Sequence, residues 1–257
     1  MSSTRTSRAQ RTQAAQRAAE IRRRAEVKEQ RRHNGLVTGA VLTVLALLVG
    51  LGYAIQSSRD TTGQVADVPA GVEGTYGVPL GDAKAPVTVT IYEDFLCPFC
   101  GDLEAALASW LPEYVEDGTV RVVYQPLAFL DRYSQGTDYS TRTVSAYGAV
   151  LDVAGPDIAS RFHDLLFENQ PAENTPGLSD DELVSLAVRA GADEDLIRPL
   201  IEGRVFEQWS DNGRDAASKE RVTSTPTVEV NGERLPPMAI DQLVARIRTS
   251  VEAVATP

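Results

Sequence analysis

Cys97-Pro98-Phe99-Cys100 holds the only two cysteines of the 257-residue chain, and two thiols at this spacing suit redox chemistry or a metal site. Just before them, the β-branched run 87–92 (VTVTIY) is of strand type. Just after them, Leu103, Leu107, Trp110, Leu111 and Tyr114 recur at spacings of three and four, which predicts a helix to about Val115. The pair therefore sits at a strand-to-helix turn, with Cys97 at the first exposed position of the helix. Unpaired backbone N–H groups and the helix dipole stabilise an anion there, and the thiolate is the reactive form of cysteine. A zinc site needs more ligands: there is no second cysteine pair, and the histidines are His33 and His163. A purely structural disulfide across two residues would constrain little of the unfolded chain. Redox chemistry is the better reading of the local context.

The elements that must position this pair can be traced along the chain. Residues 1–35 form a basic segment: ten Lys/Arg against three Glu give +7 with no apolar stripe, leaving −18 of the chain's −11 for the rest. Leu36 to Ile55 is a run of twenty uncharged residues, long enough at about 1.5 Å per residue to cross a hydrocarbon core of about 30 Å. A cleaved signal peptide is the alternative, but the run is longer than the apolar region of such a peptide and Tyr53-Ala54-Ile55-Gln56 is a poor cleavage site. It reads as a single transmembrane helix and membrane anchor, in contact with lipid. The positive-inside rule then places the N-terminus in the cytoplasm and the remainder in the extracytoplasmic space. The basic arm has a use at anionic headgroups, and the acidic remainder argues against a nucleic-acid partner. Residues 56–70 are polar and unpatterned, a flexible linker.

Residues 71–257 have the size of one well-cored domain. Tyr76 to Leu80 reads as a short edge strand, since Pro79 is tolerated only at an edge. Val120–Tyr124 is the next strand, made parallel to the first by the helical crossover. From about 131 to 219 there is no strand signal. Four helices are predicted there, at about 139–152, 157–168, 180–190 and 194–218. His163, on the second of them, reads as an ordinary, partly buried histidine. Thr225 to Val230 alternates like a strand, Asn231-Gly232 is a hairpin turn, and Ile240, Leu243, Val244, Ile247 and Val251 form the stripe of a closing helix.

The fold class is α/β, and this order of parts resembles the DsbA-like branch of the thioredoxin fold, in a membrane-anchored bacterial form. The resemblance covers residues 77–257 and is carried by Gly81-Asp82-Ala83-Lys84-Ala85-Pro86, Cys97-Pro98-Phe99-Cys100, the all-helical insertion, and Thr225-Pro226-Thr227 before a hairpin. It implies that Cys97 is the attacked, solvent-facing sulfur and Cys100 its buried partner. Pro98 and Phe99 tune the redox pair. Pro226 is the family's cis-proline and, with Thr225 before it, binds substrate. Phe99 brings neither charge nor donor, so any lowering of the Cys97 pKa, expected between about 4 and 6, must come from the helix terminus.

One departure concerns the acid that thioredoxin relatives often carry six residues before the first cysteine, where this chain has Ile91. Glu93 and Asp94 are nearer but are expected to point elsewhere, as polar residues where the strand leaves the core. The resemblance implies an extracytoplasmic thiol–disulfide oxidoreductase, with no metal and no cofactor beyond the cysteine pair. The expected direction is that of an oxidase, which gives its disulfide to reduced exported proteins and is restored by a membrane reoxidising partner. The rivals are a reductase or isomerase with the same site, and a non-enzymatic anchored binding module whose cysteines merely staple the helix.

Overall fold

The computed structural model describes residues 43, 45, 47–50 and 66–255. The chain divides into two units, residues 1–60 and 61–257. In the first, the described residues are helical and exposed. The expected basic segment, most of the expected 36–55 span and residues 56–65 of the expected linker lie outside the described residues. Among the described residues, no helix is long and apolar enough to cross a membrane.

The second unit is built on a five-stranded sheet of order β1-β3-β2-β4-β5, made of Val78–Leu80 (β1), Val87–Glu93 (β2), Val120–Pro126 (β3), Thr227–Val230 (β4) and Glu233–Arg234 (β5). The β2 and β3 strands are parallel and the other pairings antiparallel, so Pro79 stands on an edge strand where its missing N–H costs no ladder bond. Along β2, Val87, Val89 and Ile91 are wholly buried while Thr88 and Thr90 are only partly so. The β4–β5 turn has Asn231 and Gly232 at φ 50° and 80°, the pair of left-handed residues that a two-residue hairpin needs.

The helix after the cysteines, α1 (Pro98–Leu107), stops short of the expected Val115, and a separate α2 spans Leu111–Glu116. Pro112 is the reason. Inside a continuous helix its ring would clash with the carbonyl of Ala108, whereas near the start of a new helix its missing N–H is harmless.

The insertion holds five helices rather than four: α3 (Tyr139–Ala154), α4 (Pro156–Glu168), α5 (Asp180–Ala190), α6 (Glu194–Glu202) and α7 (Glu207–Lys219). The predicted 194–218 helix breaks at Gly203–Phe206, where Arg204 turns left-handed at φ 49°. That turn drops Phe206 into the core, with its N–H donating to Ser145 Oγ at 3.1 Å. Ser179 and Glu182 close a capping box on α5. The last helix, α8 (Ile240–Ala255), buries Leu243, Ile247 and Val251 of the stripe predicted for it and half-buries Ile240 and Val244. The last residues of the expected linker are seated on the domain: Pro69 is buried, and the Ala70 N–H donates to Asp152 Oδ1 at 2.9 Å.

Gly232 tests the hairpin in isolation. A Cβ there meets nothing within 4 Å, so Gly232→Ala carries only the cost of its φ of 80°. The expected loss is about 1 kcal/mol, read as a lower midpoint in urea with an unchanged slope.

Candidate active site

Cys97 is the N-cap of α1, with an extended backbone (φ −76°, ψ 115°) and Pro98 opening the helix behind it. The N–H groups of Cys100 and Gly101 donate to the Cys97 carbonyl at 3.0 and 3.2 Å, closing the first turn. Both cysteines are free thiols. Cys97, expected to face solvent, is only 4% exposed, and Cys100 is 1% exposed. The Cys97 residue lies on the floor of a groove of about 730 Å³ walled by residues 128–133 and 222–225. Phe99 is the exposed member of the motif, at 61%. It forms part of this groove and of a second one, of about 520 Å³, on the side of Pro226 and Met238.

The Thr225–Pro226 peptide bond is cis. The Thr225 carbonyl lies against the motif, and the Cys97 thiol donates to that oxygen at 3.4 Å. The resemblance had joined Cys97, Thr225 and Pro226, and the fold brings them together.

The two sulfurs are electrostatically unlike. The Cys97 thiol is lowered to about 6, first by a hydrogen bond from the Cys100 thiol, against the opposing effect of burial. The Thr225 side chain and the N–H groups of Cys100 and Phe99 lower it further. The helix terminus therefore contributes, as expected, but the partner thiol contributes most. Burial pushes the Cys100 thiol well up, and the neighbouring Cys97 adds to it.

Four residues around this geometry, Asp94, Gln170, Glu93 and His163, were not singled out as site residues by the sequence. Asp94, expected to point elsewhere, is wholly buried. Its carboxylate accepts from the N–H groups of Leu96 (2.9 Å), Phe129 (2.8 Å) and Leu130 (3.0 Å) and from Ser140 Oγ (2.7 Å). Burial nevertheless pushes its pKa up to about 7. Gln170, after α4, donates from Nε2 to the carbonyls of Phe95 (3.1 Å) and Cys97 (3.0 Å).

Glu93, also wholly buried, meets His163 Nε2 through Oε1 at 2.8 Å, and His163 is 1% exposed rather than partly buried. A local reading of the strand end failed here because the core continues past it. Residues of the insertion cover both carboxylates.

The reduced domain should show a thiolate absorbance that titrates near pH 6 and is abolished by Cys97→Ser. A Cys97 pKa lowered from its unfolded value also stabilises the reduced fold. That contribution is complete above about pH 9 and is lost as pH falls towards 6. Thermal unfolding of the reduced chain across this window reads it, with Cys97→Ser lacking the slope. Titration above about 7.5 would contradict the site described.

A family model described as "Thioredoxin" matches residues 74–249. Among solved structures, DsbA of Mycobacterium tuberculosis in its reduced form is 28% identical with a TM-score of 0.59, covering 72% of this chain and 94% of its own. The reduced disulfide bond oxidoreductase DsbG of the same organism is 28% identical with a TM-score of 0.58, covering 70% and 88%. The serine/threonine-protein kinase PknE of Mycobacterium tuberculosis is 35% identical over 130 residues, 49% of this chain, so the chain spans only about a quarter (23%) of that relative's length. Disulfide bond formation protein D of Bacillus subtilis is 25% identical over 179 residues, 67% of this chain and 76% of its own. Model, neighbours and site agree: the chain belongs to the thioredoxin family, and its folded domain is of the DsbA-like thiol–disulfide oxidoreductase type, with the cysteine pair as its redox centre.

Proposed function

We propose that this protein is an extracytoplasmic disulfide oxidase, held at the cell membrane by residues 36–55, which gives the Cys97–Cys100 disulfide to reduced exported proteins. The observation that carries the direction is the contrast between the two sulfurs. A Cys97 held near 6 favours the reduced form of the pair and makes its disulfide the better oxidant.

In the forward reaction a substrate thiolate attacks Cys97 Sγ. The Cys97–Cys100 bond breaks, and Cys100 leaves and takes up a proton. A second substrate thiolate then attacks the substrate sulfur of the mixed disulfide. The product disulfide forms, and Cys97 leaves as a thiolate, stable at neutral pH. Two electrons have passed from substrate to the pair, and a membrane oxidant must remove them. Relatives titled disulfide bond formation protein support this direction. Thr225 and Pro226, beside Cys97, offer an extended substrate a backbone edge, and the exposed Phe99 offers it an apolar contact. Pro98 opens the helix without losing a hydrogen bond.

The reduction potential against glutathione decides the direction. We expect it above the about −270 mV of thioredoxin, and a value at or below that figure would replace the oxidase with a reductase. With Cys100→Ala, mixed disulfides to exported proteins should accumulate as adducts that reductant removes, and with Cys97→Ser none should form. A binding module would behave alike in all three forms.

The location has its own test. Protease added to intact protoplasts should remove the domain and spare the basic N-terminal segment, because ten Lys/Arg against three Glu precede the uncharged run. The reverse pattern would overturn the orientation.

A further inference from the structure

Glu93 at the end of β2, Glu104 in α1 and His163 in α4 bring two carboxylate oxygens and an imidazole nitrogen within 4.8 Å of one another. Glu93 Oε1 meets His163 Nε2, but Glu93 Oε2 and Glu104 Oε1 are buried with no hydrogen-bond partner. Buried carboxylate oxygens are ordinarily paired, and leaving two bare in one cluster is costly. A cation satisfies both at once.

We propose that Glu93, Glu104 and His163 bind one divalent transition-metal ion of the zinc class. The donor set is two carboxylates and one imidazole without sulfur, and three protein ligands leave a fourth position open. A cavity of about 840 Å³, lined by Glu104, His163 and Tyr124, provides the entry path and the space for that fourth ligand. It shares no lining residue with the two grooves at the redox motif.

The surroundings hold the imidazole as a ligand must be held. The Tyr124 ring lies 4.2 Å from it centre to centre and the Phe167 ring 5.0 Å. Asp164 Oδ1 faces Nδ1 at 3.5 Å, the position from which a second carboxylate orients a metal-bound histidine. Donors around a four-coordinate zinc stand about 3.4 Å apart, so binding draws in the donors that are up to 4.8 Å apart by as much as about 1.4 Å and opens the 2.8 Å Glu93–His163 contact slightly. The ion takes the place of the hydrogen on Nε2, so any proton held there is released to solvent.

This site is independent of the redox reading, and its test can be made so. Reduced cysteines themselves bind zinc, so the experiment uses the untagged full chain carrying Cys97→Ser and Cys100→Ser, stripped with chelator. Calorimetric titration with Zn²⁺ should show one ion bound in the micromolar range or tighter, with a heat that varies with buffer ionisation as protons are released. Co²⁺ should give visible d–d bands with no thiolate charge-transfer band. Adding Glu104→Gln, at the partly exposed edge of the cluster, should weaken binding about tenfold or more while the circular dichroism stays that of the folded chain. Absence of saturable binding, or unchanged affinity in both Glu104→Gln and His163→Gln, would overturn the proposal.

Discussion

An anionic sulfur has to be held almost out of reach of water at the first turn of α1, and the rest of the domain is arranged around that constraint. A thiolate at 4% exposure cannot rely on solvent, so fixed dipoles must stand in for it. They are the Cys100 thiol, the Thr225 side chain and the N–H groups of Phe99 and Cys100. Each is weak alone, and a helix terminus contributes only about 0.3–1 kcal/mol at an exposed site. Their combined effect depends on the backbone of residues 95–101 not moving. Asp94 ties the turn before the motif to the loop after β3 and to α3, and Gln170 holds the carbonyls of Phe95 and Cys97.

The same arrangement makes the two sulfurs unequal, and the inequality is what the chemistry needs. Cys100 is buried one turn further into the helix, where its charged form is disfavoured, and donates its hydrogen to Cys97. One thiol thus stabilises its neighbour's charge while remaining neutral itself. Reduction of the disulfide therefore ends with the charge on the sulfur nearest the groove. The Thr225 carbonyl stands beside it, 3.4 Å from the Cys97 sulfur.

Much of this was legible in the sequence because its signals are local. The β-branched run before the cysteines, the Asn231-Gly232 turn and the stripe of α8 each announce themselves within a few residues. Cys97 and Cys100 stood out by their spacing and local context, Thr225 and Pro226 followed from the resemblance, and the fold sets Thr225 against Cys97. The two misplaced helix boundaries arose from tertiary preferences that periodicity does not record: Pro112 restarts a helix, and the Arg204 turn allows Phe206 to be buried. Glu93, Asp94, Gln170 and His163 were illegible for a different reason. Each acts on residues far away in the chain, with Glu93 and His163 70 positions apart and Gln170 and Phe95 75. An acid at the end of a strand looks solvated until the element that covers it is known.

That covering element is the insertion, and its role goes beyond adding bulk. A redox helix on a bare sheet would leave the start of α1 wet on the side away from the Cys97 groove. Here α4 closes it, with Phe162 and Leu166 in the core, His163 against Glu93, and Gln170 just beyond its end reaching the motif's own carbonyls. Gly101 permits the approach, because a Cβ there would stand 2.6 Å from Gln170 Oε1. Burying two acids beneath a helix is expensive, and the hydrogen bonds that offset it all come from the loops, α3 and α4 rather than from the sheet. The polar residues that the thioredoxin framework leaves at the strand end thus become the joints by which the insertion is fastened, and through them it sets the rigidity of the site.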